Sequence, residues 1–351
     1  MSRLEVEKDP WLAVNLSMFF PGIGQFYGEY ILKGIIFFSG QLTLLIMTFL
    51  HIFAADGNTV TGLICLGMAI IIYLVNILDA HLGIYNKRRD KLLEKIPRKH
   101  KNPWFSLFAS RILPGLGHLY LQKPRIGLTL LVGSIILFSL DDFIPKLLII
   151  TPMITAIATY DSYGIFPGYQ SRWQRSLVTI MAVLIFFIGL MGNYFPQWLG
   201  ERFERFIIPS ESMKPTLKVG DIVFVSKSPD YVPQRGDIVV FTAPENLKAR
   251  DPNVSDYYIK RIIGTPGNEV RIVQGTVYIN NQPLEETYIA QAPQYQLNSQ
   301  LIKDNTYLVL GDNRNDSFDS HIWGTLPKDF IVGKAYKIGW PPHRIQSLEV
   351  K

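Results

Sequence analysis

The pattern of hydrophobic and polar positions changes near residue 200. Before that point apolar residues form runs of about 15 to 24 residues with few charges, whereas after it they form short β-branched runs separated by Gly, Asp and Asn. Runs of roughly 20 apolar residues allow a helix to cross a bilayer, and short β-branched runs between turn residues are typical of strands. The chain is therefore predicted to combine a membrane α-helical N-terminal region with an all-β domain, a folded sheet or barrel.

The apolar runs predict five membrane spans, at about 31–54, 60–82, 126–140, 143–160 and 177–198. The third and fourth are expected to form a short hairpin with a polar tip at Asp141 and Asp142. Two further half-apolar segments, about 11–29 and 104–121, are broken by Pro and Gly. We expect these two to be interfacial or re-entrant, because backbone groups freed inside a membrane must find protein partners.

The two broken segments belong to an internal repeat. Seven identities fall at one offset of 93 residues, and they join Pro10-Trp11 to Pro103-Trp104, Pro21-Gly22-Ile23-Gly24 to Pro114-Gly115-Leu116-Gly117, Tyr27 to Tyr120 and Gly34 to Gly127. A duplicated membrane unit explains the shared register. The predicted organisation is two membrane repeats, a final anchor and a β domain, at residues 1–100, 101–170, 171–200 and 201–351.

The β domain is predicted from runs that are rich in β-branched residues and bounded by turn signals. They lie at 221–225, 237–241, 270–273, 276–279, 306–310 and 331–338. A second apolar patch, made of Phe203, Phe206, Ile207 and Ile208, precedes them. It is either a buried first strand or a surface that dips into the lipid interface.

Charge indicates how the segments are oriented. The net charge is +6, and eight of the Lys and Arg residues lie between Lys87 and Lys101. A basic run can bind nucleic acid, but between membrane segments it is more typical of a cytoplasmic loop. With this loop inside the cell, five spans place residues 200–351 on the opposite side of the membrane, and no nucleic-acid partner is expected.

Cysteine and histidine exclude several kinds of site. Cys65 is the single cysteine, so an intrachain disulfide and a cysteine-based metal cluster are both impossible. The six histidines are scattered, with no pair at metal-ligand spacing. We therefore predict no metal site.

Three segments of the β domain carry candidate chemistry. The segment 209–217 contains Ser210 and Ser212 between two prolines, Lys260 lies inside an apolar strand, and a polar turn occupies residues 311–320. A serine becomes a nucleophile when a nearby base accepts its proton, and a lysine can be that base if its pKa falls. Burial between apolar neighbours disfavours the charged amine and lowers its pKa.

The polar turn allows a second interpretation. Asp312, Asp316 and Asp319 could form a carboxylate pair for acid–base catalysis. Turns rich in Asp, Asn and Gly are, however, usually only turns.

Four motifs in one order resemble those of bacterial type I signal peptidase, a membrane-bound Ser/Lys endopeptidase. They are Pro209-Ser210-Glu211-Ser212-Met213-Lys214-Pro215-Thr216, Arg235-Gly236-Asp237-Ile238-Val239-Val240-Phe241, Tyr258-Ile259-Lys260-Arg261-Ile262-Ile263-Gly264-Thr265-Pro266-Gly267, and the box from Gly311 to Gly324. The resemblance covers about residues 205–342 and implies the folded-sheet or barrel fold of that family. It implies that Ser212 is the nucleophile, Lys260 the general base, and Ser210 with the Ser212 backbone N–H the oxyanion hole.

The resemblance also implies supporting roles. Ser317 would hydrogen-bond the lysine amine, Asp312 and Asp319 would be structural carboxylates, and Met213 would cover the site. Arg261, next to the base, would point to the opposite face of its strand.

The sequence departs from the family pattern in places. His321 stands where the family commonly has an arginine that pairs with the aspartate, and Asn315-Asp316 reverses the usual order. A His–Asp hydrogen bond would be sensitive to pH. The duplicated five-span anchor is also more elaborate than the one or two spans of the family.

The resemblance implies that the chain removes signal peptides from exported preproteins through an acyl-enzyme and without a cofactor. It would be a multi-pass protein of the bacterial inner membrane with the catalytic domain on the periplasmic side. Its partners would be signal peptides and membrane lipid, with the translocon a further candidate. Two alternatives remain open: a specialised Ser/Lys peptidase for a narrow substrate, and a catalytically inactive membrane scaffold.

Overall fold

The computed structural model describes residues 8–87, 101–140, 147–166, 171–250 and 254–349. The chain forms two compact units. We call Met1–Thr48 with Ile64–Trp198 the helical unit, and Phe49–Leu63 with Leu199–Lys351 the β unit. Most of the predicted basic loop and the predicted polar tip at Asp141 and Asp142 lie outside the described residues.

The helices are α1 Pro10–Ser17, α2 Ile23–Tyr27, α3 Ile31–Phe53, α4 Thr59–Lys87, α5 Pro103–Ile112, α6 Leu116–Tyr120, α7 Pro124–Leu140, α8 Leu147–Gly164, α9 Arg172–Arg202, α10 Glu245–Lys248 and α11 Ser320–Trp323. Within the described residues, three are long and apolar enough to cross a membrane, namely α3, α4 and α9.

The prediction of five full spans is therefore not met in the described residues. The other two predicted spans form α7 and α8, of 17 and 18 residues. At 1.5 Å per residue α7 rises only about 26 Å, less than the roughly 30 Å of a bilayer's hydrocarbon core. Pro152 lies inside α8, and the side-chain amide of Asn193 donates to the carbonyl of Leu148, one turn before the proline, at 2.7 Å.

Each broken segment of the repeat forms a pair of short helices, and a tyrosine at the end of the second helix accepts a hydrogen bond from the residue that precedes the first. The side chain of Asp9 caps α1, and its backbone N–H donates to the Tyr27 hydroxyl at 3.0 Å. The side chain of Asn102 caps α5, and its N–H donates to the Tyr120 hydroxyl at 2.8 Å. The turn between the helices passes through a glycine at positive φ in both copies. The two copies therefore share one local structure as well as one sequence pattern.

The β unit contains two antiparallel sheets. The strands are β1 Phe203–Ile207, β2 Ile222–Ser226, β3 Ile238–Thr242, β4 Tyr257–Gly264, β5 Glu269–Val273, β6 Thr276–Ile279, β7 Gln282–Pro283, β8 Leu297–Leu301, β9 Thr306–Leu310, β10 Leu326–Pro327, β11 Ile331–Trp340 and β12 Gln346–Ser347. The larger sheet has the order β1-β2-β11-β3-β4-β9-β10, with β12 beside β11, and the smaller has the order β7-β6-β5-β8. The prediction of apolar helices followed by an all-β domain is confirmed.

The patch from Phe203 to Ile208 is largely a strand. β1 pairs with β2 at the edge of the larger sheet. Ile208 is buried, whereas Ile207 is 69% exposed. The interpretation as a first strand is therefore correct for the backbone, although the side chains are only partly buried.

Three apolar clusters surround β4 because successive residues of this strand point to different faces. Ile259 packs in a cluster with Met213 and Leu217. Ile262 belongs to a second cluster and Ile263 to a third. Side chains from Ile259 to Ile263 are therefore removed from water on either face of the strand, which decides the chemistry of Lys260.

The β unit includes the turn that follows α3. The Lys337 amine, on β11, donates to the carbonyls of His51, Ile52 and Ala54 at 2.9, 3.2 and 3.2 Å. The last carbonyls of a helix have no partner inside it, so this fully buried lysine caps α3.

Candidate active site

Lys260 and Ser212 lie in direct contact. The amine nitrogen of Lys260 is 2.8 Å from the Ser212 hydroxyl and 3.0 Å from the carbonyl of Ile259. The two residues are only 4% and 8% exposed. Burial lowers the pKa of Lys260 from 10.5 to about 8, against the opposing charges of Asp319 and Asp312.

The loop that carries Ser212 is fixed from two sides. Met213 and Leu217, both fully buried, pack in the cluster that contains Ile259, and the Leu217 N–H donates to the Met213 carbonyl at 2.9 Å. The Asn313 N–H donates to the Ser212 carbonyl at 3.0 Å. Met213 thus lies beneath the loop as an anchor, beside the serine that the sequence predicted it to cover.

Ser210 lies close to Ser212. The two hydroxyl oxygens are 3.3 Å apart, and Ser210 is exposed, whereas Ser212 is buried. A hydroxyl in this position can rotate toward an oxygen atom bound beside Ser212.

Arg261 leaves β4 in another direction from Lys260 and pairs with Asp312. Its Nε and Nη2 donate to the two carboxylate oxygens at 2.8 and 2.7 Å, and the side chains are 4% and 0% exposed. The Thr216 hydroxyl also donates to Asp312, and the guanidinium lies 4.0 Å above the Tyr288 ring. The buried carboxylate is thus fully engaged by a permanent cation.

Asp319 organises the polar turn. Its carboxylate is completely buried and accepts the Gly311 N–H at 2.9 Å. Its other oxygen is 2.7 Å from Nδ1 of His321. Because Asp312 is bound to Arg261 and Asp319 to His321, the two aspartates do not form the shared-proton pair of the carboxylate alternative.

The predicted hydrogen bond from Ser317 to Lys260 is wrong. Among the described residues, the buried Ser317 hydroxyl has no hydrogen-bond partner. Ser317 is extended after a short 3-10 turn, and its hydroxyl packs on Gly311, where a Cβ would lie 2.2 Å from it. The same Cβ would lie 2.4 Å from the Ser212 carbonyl, so Gly311 lets the turn approach the serine loop.

Sequence reasoning also missed two contacts. Arg314, almost fully buried, donates to both carboxylate oxygens of Glu286 at 2.7 and 2.6 Å. The Tyr295 ring stacks on His321, with centroids 3.8 Å apart and an interplanar angle of 11°. The polar turn signalled the presence of Arg314 and His321, but nothing local to Glu286 or Tyr295 signalled these partners.

No group of three or more potential metal ligands occurs in the part of the chain that the structure describes. The arrangement instead offers a buried amine, a serine hydroxyl within hydrogen-bonding distance and a second hydroxyl beside it. This set of groups can carry out acyl transfer without a metal.

Comparison with known proteins identifies the family. A family profile described as "Signal peptidase, peptidase S26" matches residues 173–340. Signal peptidase I of Leptolyngbya laminosa is 48% identical over 147 residues, which are 41% of this chain and 72% of that protein. The chain belongs to the type I signal peptidase family. Two Synechocystis sp. proteins, probable signal peptidases I-2 and I-1, are 48% and 45% identical over 51% of this chain, with 78% and 89% of their own lengths covered.

Membership of the type I signal peptidase family confirms the resemblance read from the four motifs. It makes the chain a hydrolase, a serine endopeptidase of the kind that cleaves signal peptides. The family profile begins in α9 and ends at Trp340. It therefore spans the last long helix and nearly all of the β domain, while α1 to α8 lie outside it.

Proposed function

We propose that the chain is a membrane-bound endopeptidase that cleaves N-terminal signal peptides from exported preproteins, with Ser212 as nucleophile and Lys260 as general base. The observation that carries this proposal is the 2.8 Å separation of the two reactive atoms in a buried setting. With a pKa of about 8, about a tenth of the amine is neutral at pH 7 and ready to accept a proton.

In the first half of the reaction, Lys260 takes the Ser212 proton and the serine oxygen attacks the scissile carbonyl carbon. The carbonyl oxygen becomes negative in the tetrahedral intermediate. The Ser210 hydroxyl, 3.3 Å from that of Ser212, and the Ser212 backbone N–H are the proposed donors to it. A donor so placed typically lowers the barrier by about 3 kcal/mol. The protonated Lys260 then gives its proton to the leaving amine, and the acyl-enzyme remains.

In the second half, Lys260 takes a proton from water, whose oxygen attacks the acyl carbon. The C–O bond to Ser212 breaks, and the proton on Lys260 returns to the serine oxygen. Asp319 and Asp312 favour the ammonium form by their charge, so they stabilise the intermediate state of the base. Ser317 has no assigned contact with Lys260 and is proposed to act by packing on Gly311.

The membrane location is part of the proposal. Helices α3, α4 and α9 are each long enough to span, and α9 leads directly into β1. We propose a multi-pass protein of the inner membrane with the β unit on the periplasmic side, where signal peptides emerge. Lipid surrounds the helical unit, and a translocon would deliver the substrate.

Cleavage of a preprotein by the full chain in lipid vesicles tests the proposal. Ser212→Ala and Lys260→Ala should each lower the rate by at least about 10³-fold, because either change removes the nucleophile–base pair. Ser299→Ala, a change of hydroxyl on β8, is the matched control and should cleave at the wild-type rate. Undiminished cleavage by Lys260→Ala would refute the assignment of the base, and inactivity of the wild type on every preprotein would favour the scaffold alternative.

A further inference from the structure

The two buried carboxylates whose charges act on Lys260 have different basic partners. Asp312 pairs with Arg261, whose guanidinium stays charged at every accessible pH. Asp319 pairs with His321, whose imidazole carries a positive charge only when it is protonated. The net charge of the Arg261–Asp312 pair is therefore fixed, whereas that of the His321–Asp319 pair can change.

We propose that His321 is a positioning residue that sets, through Asp319, how readily Lys260 releases its proton, and so fixes the pH range of cleavage. This inference rests on the proposed role of Lys260 as base. His321 touches neither reacting atom, and its effect passes through the aspartate.

The geometry of the pair supports this role. Asp319 is completely buried, and its two oxygens serve different partners: one accepts the Gly311 N–H at 2.9 Å and the other lies 2.7 Å from Nδ1 of His321. The backbone N–H of His321 also donates to this second oxygen of Asp319, at 3.2 Å. The imidazole is thus the side-chain partner that can balance this buried charge.

The imidazole is also held in place. Tyr295 stacks flat on the ring, with centroids 3.8 Å apart, and the side chain of His321 is only 17% exposed. The other charged groups nearby are Arg250, which donates to the carbonyl of Ile322, and the Arg314–Glu286 pair, whose charges act on Tyr295. Because Arg314 and Glu286 are bound to each other, Asp319 is the carboxylate that the imidazole faces.

The consequence follows from charge alone. The positive charge of a protonated His321 offsets the negative charge of Asp319, as the charge of Arg261 offsets that of Asp312. The Lys260 amine then loses its proton more readily. A neutral His321 leaves the charge of Asp319 uncompensated, and this charge retains the proton on Lys260. Protonation of His321 therefore supports cleavage at the acidic end of the range.

Two substitutions separate charge from hydrogen bonding. His321→Arg makes the positive charge permanent, and we expect the midpoint of the kcat/KM profile to move to lower pH by about 0.5 to 1 unit. The gain over wild type should lie above about pH 7, because below that pH the wild-type imidazole is charged as well. His321→Asn keeps a donor near the Nδ1 position without the charge. We expect it to lose activity relative to wild type below pH 7 and to match wild type within about twofold at pH 9.

The full chain in lipid vesicles is assayed from pH 5.5 to 9.5. His343→Asn is the control, because this histidine is exposed on the same unit, and its profile should match wild type. A uniform loss at all pH values in both His321 variants, with unchanged midpoints, would show a merely structural role and overturn the inference. If His321→Arg fails to fold, the acidic-limb comparison of His321→Asn with wild type decides alone. Activity in Lys260→Ala would instead show that the proposed function has failed.

Discussion

Replacing Lys260 by Met removes an amine that the protein buries at a cost. Burial lowers the pKa of this amine from 10.5 to about 8. Since one pH unit corresponds to about 1.4 kcal/mol, the protonated amine is about 3 kcal/mol less favourable in the fold than in the unfolded chain. Below pH 8 both states carry the proton, and the full cost is present. Between about pH 8 and 10.5 the unfolded state binds more protons, so the stability of the wild type rises with pH.

We therefore expect Lys260→Met to be more stable than wild type at pH 7 and inactive. Loss of the hydrogen bond to Ser212 costs about 1 kcal/mol, which leaves a net gain of about 2 kcal/mol. Between pH 7 and 10.5 the difference between variant and wild type should shrink by about 3 kcal/mol. Pulse proteolysis of the micelle-embedded chain in urea reports the free energy of unfolding of the β unit at each pH.

Ser212→Ala is the matched control for this experiment. It also abolishes the nucleophile–base pair, but it leaves the buried amine in place, so it should show no comparable gain at pH 7. A difference in unfolding free energy between Lys260→Met and wild type that stays constant from pH 7 to 10.5 would show that the fold does not disfavour the charged amine.

Three further predictions follow from the geometry. Gly311→Ala should lower kcat/KM by about 100-fold, because the added Cβ would lie 2.4 Å from the Ser212 carbonyl and displace the serine loop; Gly200→Ala, which meets nothing within 4 Å, is its control in the same cleavage assay. Asp312→Asn should destabilise the β unit by about 3 kcal/mol in thermal unfolding, because it leaves Arg261 buried without its anion. The control Glu211→Gln breaks an exposed ion pair and should cost under about 1 kcal/mol; equal losses in the two variants would show that the buried pair contributes no more than the exposed one. Lys337→Met should expose the turn after α3 to protease, because three helix-end carbonyls lose their hydrogen-bond donor and each lost bond costs about 1 kcal/mol or more of stability. An unchanged rate of proteolysis within residues 49–63 would show that this cap does not stabilise the turn.

The strands that the sequence predicted are those with a local signal. β2, β3, β5, β6 and β9 are β-branched runs beside Gly-Asp or similar turns, and each lies within a residue or two of its predicted position. β8, with the sequence Leu-Asn-Ser-Gln-Leu, has no such signal and was missed. The order of strands in the sheet could not be predicted from the sequence either. β11 lies between β2 and β3, and this placement depends on contacts between distant parts of the chain.

The candidate site shows the same division. The motifs predicted that Ser212 and Lys260 act together, and the structure brings them into contact. The contacts of the residues around Ser212 and Lys260 depend on side-chain directions, which the spacing of residues along the sequence does not determine. Ser317 turns toward Gly311, and Arg314 finds Glu286, 28 residues away.

The helical unit illustrates the limits of counting apolar residues. α7 and α8 have the composition of spans, yet α7 is short and α8 contains Pro152. A proline removes a helical hydrogen bond, so its cost depends on whether a neighbour supplies a donor. Here Asn193 supplies it from α9, a contact that only the packed structure reveals.

The proposed mechanism needs the pKa of Lys260 to lie low enough for part of the amine to be neutral near pH 7, and a titration of this amine measures that pKa. The full chain, with lysine labelled by 13C at Cε, is titrated in micelles by NMR, and the Lys260 signal is assigned by its loss in Lys260→Met. The Lys260 signal should titrate with a midpoint near pH 8, because burial disfavours the charged amine. A midpoint at or above the ordinary value of about 10.4 would show that Lys260 is protonated at neutral pH and cannot act as the base.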